Sequence, residues 1–212
     1  GQRKKLSARF FADCTGDGSV GYMAGADSDI TLNNHMGRCN LWNIKETNSE
    51  VSFPRCPWAF DLYDKPFPGR EKNPGQYGTG ITKLGGWYWE SGFNHHPVKD
   101  GEYIRDTNFR AMYGAWDCLK NKDKVYQNYK LNWAAHISGK RESRRLMGDI
   151  ILSKEKLLES EYFDDACVPA TWSIDLHLPH KDYIKGFKND AFISKAHYTQ
   201  YPRPYWVPYR AL

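Results

Sequence analysis

Six residues near the start of the 212-residue chain constrain it most: Gly16-Asp17-Gly18-Ser19-Val20-Gly21, a literal G-x-G-x-x-G. Ahead of them Phe10, Ala12 and Cys14 alternate with Phe11 and Asp13, the period of a strand. A short helix is expected after them. A strand, glycine turn and helix at this spacing lets backbone N–H groups approach a phosphate, with the helix N-terminus facing the negative charge. The full dinucleotide fingerprint also needs an unbroken helix and a second strand ending in Asp or Glu about 20 residues on. Gly25 instead interrupts the helix within two turns, and Asn33 to Cys39 offers neither a carboxylate nor an apolar strand. The same glycines equally serve a tight strand-to-helix turn that needs their backbone angles.

The rest of the chain is that of a folded protein with a real core. Its net charge of +5 is spread out, apart from Arg3-Lys4-Lys5 and the cluster Lys140-Arg141 with Arg144-Arg145. This permits anionic ligands and gives no reason to expect a nucleic acid partner. No apolar run approaches a membrane span, so no membrane partner is expected. Cys14, Cys39, Cys56, Cys118 and Cys167 contain no C-x-x-C, and their odd number argues against a complete disulfide framework. Eight Trp, 14 Tyr and 10 Phe serve either a core or a pocket for flat rings.

Between Asp27 and Tyr77, Pro54, Pro57, Pro66, Pro68 and Pro74 with Gly69 and Gly75 predict loops and short strands, one around Val51-Ser52-Phe53. A further turn is expected at Tyr77-Gly78-Thr79-Gly80, and an aromatic strand from Ile81 to Glu90. Gly101 to Asn121 is the best helix: Ile104, Ala111, Ala115 and Leu119, with Phe109, Met112 and Trp116, recur at spacings of three and four. Strands follow at Tyr129 to Ile137, Leu146 to Leu152 and Trp172 to Leu178, and Ser153 caps a short helix through Leu158.

In order along the chain, Phe11-Ala-Asp-Cys-Thr-Gly-Asp-Gly18 with its Ala-Gly-Ala helix, Gly86-Trp-Tyr-Trp-Glu90, Glu102-Tyr-Ile-Arg105 through Gly114-Ala-Trp-Asp117, Arg141-Glu-Ser-Arg-Arg145 with Gly148-Asp149, Ser173-Ile-Asp-Leu-His177 and Val207-Pro-Tyr-Arg210 form a set. This set resembles the FAD-dependent oxidoreductase family, whose members join a flavin fold to a substrate domain. The resemblance implies a mixed α/β (α+β) fold: a partial FAD/NAD(P)-binding-type strand–turn–helix joined to a mostly antiparallel β substrate domain with one long helix. It implies a remnant of the flavin fold at 1–30, a substrate domain at 31–200 and the start of a return to the flavin fold at 201–212. In such proteins the Thr-Gly-Asp-Gly turn is a later return beside the flavin, so the N-terminal Gly-rich FAD loop and a C-terminal flavin segment are expected outside these residues. The partners implied are a small-molecule substrate and a missing flavin-binding segment or a further copy of the chain.

The resemblance also implies roles. Thr15, Gly16, Asp17, Gly18 and Arg145 approach FAD, with Asp17 compatible with a cofactor only where it accepts hydrogen bonds. Arg141 and Arg144 neutralise an anionic substrate or reduced flavin, for which the always-charged, forked guanidinium is suited. His177 is the expected base, oriented by Asp175 two residues earlier on the same strand face; for these three arginines and this histidine, plain ion pairs and a strand-end hydrogen bond are the structural alternatives. Asp175, His177 and His180 do not complete a metal pattern, and no metal is expected. The expected reaction is hydride transfer from a substrate C–H to FAD, with this chain alone incomplete for FAD binding. The alternative is a non-catalytic module that binds carbohydrate or another ring ligand on Trp87, Trp89 and Trp206; a weaker one is a scaffold for a chain that carries the flavin half.

Overall fold

The computed structural model describes residues 1–70, 77, 80–184 and 191–212. Pro74, Gly75, Gly78 and Thr79 of the expected loop and turn lie outside these residues. Eleven strands are described: β1 (Ser28–Ile30), β2 (Arg38–Cys39), β3 (Trp42–Glu46), β4 (Glu90–Ser91), β5 (Tyr129–Ala134), β6 (Gly139–Lys140), β7 (Arg144–Leu146), β8 (Ala166–Ala170), β9 (Ile174–Pro179), β10 (Ser194–Thr199) and β11 (Tyr205–Pro208). The helices are α1 (Ser19–Met23), α2 (Gly101–Asp117), α3 (Lys154–Glu159) and α4 (Lys181–Ile184). Every described ladder is antiparallel. The fold is α+β with one long helix, as the sequence predicts.

The chain divides into two compact units. The first comprises Gly1–Ile30, Ser143–Ser173 and Gln200–Leu212; the second, Thr31–Glu142 and Ile174–Thr199. In the first unit β1 pairs with β7 and β8 with β11. Ser153 caps α3 as expected, accepting from the Lys156 N–H. Arg210 grips Asp165 at 3.0 Å and Asp164 at 2.7 Å, and the guanidinium holds the Asp165 carboxyl at about 2.

The second unit holds the aromatic core. The apolar face of α2 buries Ile104, Ala111, Met112, Ala115 and Trp116, the residues its periodicity selects. Trp116 and Trp89 both meet Trp42 edge-on, at centroid distances of 6.4 and 5.2 Å. A π-helical turn, Cys118–Lys122, ends the helix. There Lys120 is buried and its Nζ donates to the carbonyls of Tyr126, Gln127 and Tyr129. Around this core lie the three-stranded order β4-β2-β6 and the pairs β3-β5 and β9-β10.

Four sequence expectations are corrected. Phe10 to Cys14 forms no strand: no ladder partner is described for it, and Phe10 and Phe11 stand exposed. Val51-Ser52-Phe53 is irregular. Of Ile81 to Glu90 only the end is extended, because Trp89 bridges Ile193 while Gly85 and Gly86 turn the chain beforehand. The strand at Leu146 stops there; the backbone at Gly148 packs against the Arg210 carbonyl, where a Cβ would come within 2.3 Å. All five cysteines are free. Among the described residues no helix is long and apolar enough to cross a membrane.

Candidate functional site

The glycine turn of the first unit forms as the spacing predicts, with Gly16 and Gly18 at φ of 77° and 59°. Gly18 and Gly21 pack on Leu146, where a Cβ would lie 2.8 and 2.5 Å from its side chain, so this approach excludes a larger residue. The α1 amides that would meet a phosphate are already engaged. The Gly21 N–H donates to Asp13 Oδ2 at 2.8 Å and the Ser19 N–H to Thr15 Oγ1 at 2.8 Å. Asp13 Oδ1 accepts from the Thr15 N–H and hydroxyl, at 2.9 and 2.6 Å. These bonds, the Gly21 amide first, hold the Asp13 carboxyl at about 2. The chain's own carboxylate thus stands where an anion stands in such a turn. Asp17 adds a second carboxylate, which accepts from Ser143 Oγ at 2.5 Å. A pyrophosphate does not fit this turn.

Two arginines of the R-E-S-R-R motif lie in the same unit. Arg144 donates to the Asp17 carbonyl at 3.3 Å and stacks its guanidinium 3.8 Å from the Tyr22 ring centroid. Arg145 faces Asp29 across the β1–β7 register and pairs with it at 2.8 Å; that hydrogen bond lowers the Asp29 carboxyl.

The second unit gathers the remaining residues around Glu90. Tyr88 to Glu90 pairs with Phe192 to Ser194: the Glu90 N–H donates to the Phe192 carbonyl at 3.0 Å and the Ser194 N–H to the Tyr88 carbonyl at 2.9 Å. The β9–β10 ladder, with Ala196 opposite His177, brings in the histidine. Glu90 is fully buried, and its Oε2 accepts from Ser194 Oγ at 2.7 Å and meets His177 Nδ1 at 2.8 Å. The other ring nitrogen, Nε2, lies 3.2 Å from Asp175 Oδ1. Arg141, carried at the end of β6, places Nε 3.5 Å from Glu90 Oε1. Trp87 roofs the cluster: its ring lies 4.5 Å from the imidazole and 5.9 Å from the Arg141 guanidinium. Tyr77 stacks on Tyr88 at 3.8 Å and donates to the Ser194 carbonyl at 2.7 Å. Burial raises both phenols to about 12, which keeps them neutral donors.

His177 is 2% exposed, whereas the side chains of Asp175 and Arg141 are 22% and 27% exposed. Solvent therefore meets this cluster at Asp175 and Arg141. Glu90 Oε1 and Asp175 Oδ1 are buried acceptors with no hydrogen bond of good geometry. The sequence signals Asp175 and His177, since residues two apart share a strand face. It does not signal Glu90 as their partner, 87 residues away, or Ser194, 104 residues from Glu90. The stacking surface expected of Trp87, Trp89 and Trp206 loses Trp89, which is 1% exposed inside the core. Trp206 belongs to the first unit, on β11. Among the described residues no group of three or more His, Cys, Asp or Glu is placed to hold a metal.

No curated protein and no solved structure matches the chain. A match to the FAD dependent oxidoreductase family runs over residues 1–212, and the chain belongs to that family.

Proposed function

We propose that this chain is the substrate-handling region of a flavin-dependent oxidoreductase, with the pyrophosphate of FAD held by residues outside it. The observation that carries the reading is the Asp175–His177–Glu90 chain of carboxylate, imidazole and carboxylate, flanked by Arg141 and left with two unsatisfied acceptors. Bound FAD would supply the hydride acceptor for a substrate C–H. A hydroxyl or amine on the reacting carbon must then lose a proton. Asp175, the solvent-facing carboxylate, accepts a hydrogen bond and then the proton from that group, and passes it to His177 Nε2, 3.2 Å from its Oδ1. Glu90 fixes the ring through Nδ1 and stabilises the imidazolium. Arg141 holds negative charge on the substrate side.

The glycine turn has a smaller part in this proposal. The turn Thr15, Gly16, Asp17 and Gly18 presents the Asp17 carboxylate, and the Thr15 and Gly21 amides are given to Asp13, which suits the hydroxyl-bearing portion of the cofactor and not its phosphates. Arg144 and Arg145 brace this turn through Asp17 and Asp29. On this reading 1–30 and 201–212 belong to the flavin side and 31–200 chiefly to the substrate side. The test is the absorption of the purified chain from about 350 to 500 nm, before and after FAD is added and the excess removed. A colourless protein is expected. Retained flavin bands would mean that the chain builds a phosphate site of its own and would refute this division of labour.

A further inference from the structure

His35 is buried in the second unit, between the residues that lead into β2 and the loop that follows β4. Its backbone N–H donates to the Phe93 carbonyl at 3.2 Å. Its ring meets two more carbonyls: Nδ1 lies 2.7 Å from the Met36 oxygen and Nε2 2.7 Å from the His95 oxygen. A carbonyl oxygen only accepts, so a ring nitrogen bonded to it must carry a hydrogen. A neutral imidazole has one such hydrogen and presents a lone pair at its other nitrogen. Only the imidazolium, which donates from both nitrogens, satisfies the two contacts together. A neutral ring would leave one buried carbonyl facing a lone pair, and an unmade bond of this kind is costly.

The charged groups of the surrounding segments are otherwise engaged. Glu142 Oε2 accepts from the Met36 N–H at 3.1 Å. Asp100 accepts from the His96 N–H at 2.8 Å and lies 3.7 Å from the His95 ring. Arg38 donates to the Pro97 carbonyl, and Glu90 Oε2 is given to His177 and Ser194. Among the described residues no carboxylate pairs with the His35 ring, whose charge is held by carbonyl oxygens. Histidine is also the side chain whose charge changes near neutrality. We propose that His35 is a pH-sensitive latch: charged, it ties the loop at His95 to Met36, and on losing a proton it lets one carbonyl go. Met36 is the next residue and moves with the ring, so the bond that opens is the one to His95, 60 residues away. The latch closes beside the β2–β4 pairing. At Gly37 a Cβ would lie 2.4 Å from the Ser91 carbonyl oxygen and 3.0 Å from Glu90 Cγ. An effect on substrate handling rests on the reading of the Glu90 cluster above; the latch itself does not.

The test is NMR of the whole chain labelled with ¹⁵N, following ring and backbone N–H signals from about pH 5 to 9. At the acid end both His35 ring nitrogens should appear as N–H donors. As the pH rises one ring N–H should be lost, and the amides of residues 93–96 should shift with the same midpoint. His35→Gln should abolish that shift, whereas His197→Gln, at an exposed position on β10, should leave it unchanged. If His35→Gln does not fold, the wild-type titration decides alone, since ring and loop are read in one sample. A His35 ring with a single N–H throughout, or loop amides that do not follow its titration, overturns the proposal. Neither result bears on whether the Glu90 cluster handles substrate.

Discussion

Replacing Glu90 by glutamine removes one charge from the second unit and almost no volume. The carboxylate accepts two short bonds, from Ser194 Oγ at 2.7 Å and His177 Nδ1 at 2.8 Å, in a fully buried setting. Bonds to a charged acceptor contribute about 1.5–3 kcal/mol each, roughly twice a neutral bond. A glutamine oxygen can keep both partners as neutral bonds, so about half of their strength is lost, some 2 kcal/mol. Its amide then turns N–H groups toward Arg141 Nε, which already lies 3.5 Å from the other oxygen, and this adds to the cost. The expected destabilisation is about 2–3 kcal/mol; Glu90→Ala, which strips the partners entirely, should reach about 3–5 kcal/mol. Urea unfolding followed by tryptophan fluorescence reads it, because Trp87 and Trp89 adjoin Glu90. With a slope near 2 kcal/mol/M the midpoint should fall by about 1 M. His177→Asn and the double variant complete a cycle with an expected coupling of about 1 kcal/mol or more. An E90Q midpoint within experimental error of wild type, or strict additivity in the cycle, would refute the claim that Glu90 and His177 form one hydrogen-bonded unit.

Asp13 is depressed to about 2 from 3.8, so whatever it contributes is present above pH 4 and lost as the pH falls through about 2. The Gly21 amide resonance should titrate with a midpoint near 2, and Asp13→Asn should abolish that titration. The buried Cys118 thiol is pushed up to about 12, chiefly by desolvation, while Cys14 and Cys167 are exposed. A thiol reagent followed by mass spectrometry should label Cys14 and Cys167 first and Cys118 only on unfolding. Lys120→Met leaves three carbonyls without their donor and should destabilise the second unit by about 2–4 kcal/mol in the same urea assay.

What could be read from the sequence was what neighbouring residues decide. The α2 face follows from spacing alone, the Ser153 cap from one side chain, and the glycine turn from backbone angles that few other residues adopt. The strands read less well because a strand exists only where a partner pairs with it. Phe10 to Cys14 alternates correctly and forms none. Trp87-Tyr88-Trp89 has the composition of a strand, yet pairing begins only where Phe192 to Ser194 meets it, a hundred residues later. The site divides in the same way. Asp175 and His177 share a face because they are two apart. That Glu90 closes the chain depends on a ladder between segments that no local pattern connects. The filling of the α1 amides by Asp13 and Thr15 was equally hidden, since a G-x-G-x-x-G specifies the turn and not its occupant.

Two-stranded ladders are marginal on their own, and the second unit ties its loops together with buried polar nodes. Three of these nodes are saturated. Asp117 accepts from the Cys56 N–H, Arg55, Tyr63 and Asn121; Arg70 forks onto Asp123 and three carbonyls; Lys120 reaches three carbonyls. A node whose every bond is internal has its work done by the fold. The Glu90 node differs, because Glu90 Oε1 and Asp175 Oδ1 remain acceptors without a well-placed donor, and Asp175 reaches solvent. Burying acceptors in this condition costs stability that a hydrophobic replacement would not. Their nearest donors, Arg141 Nε at 3.5 Å and His177 Nε2 at 3.2 Å, are badly aligned, and on the proposed reading a substrate hydroxyl or amine meets Asp175 at its exposed edge. That difference, rather than burial or charge alone, distinguishes the Glu90–His177–Asp175 chain from the structural nodes around it. It predicts that Asp175→Asn, which leaves Glu90 and Ser194 untouched, spares stability in the urea assay but, on the proposed reading, weakens substrate binding. An Asp175→Asn variant as unstable as E90Q would place Asp175 among the structural nodes instead.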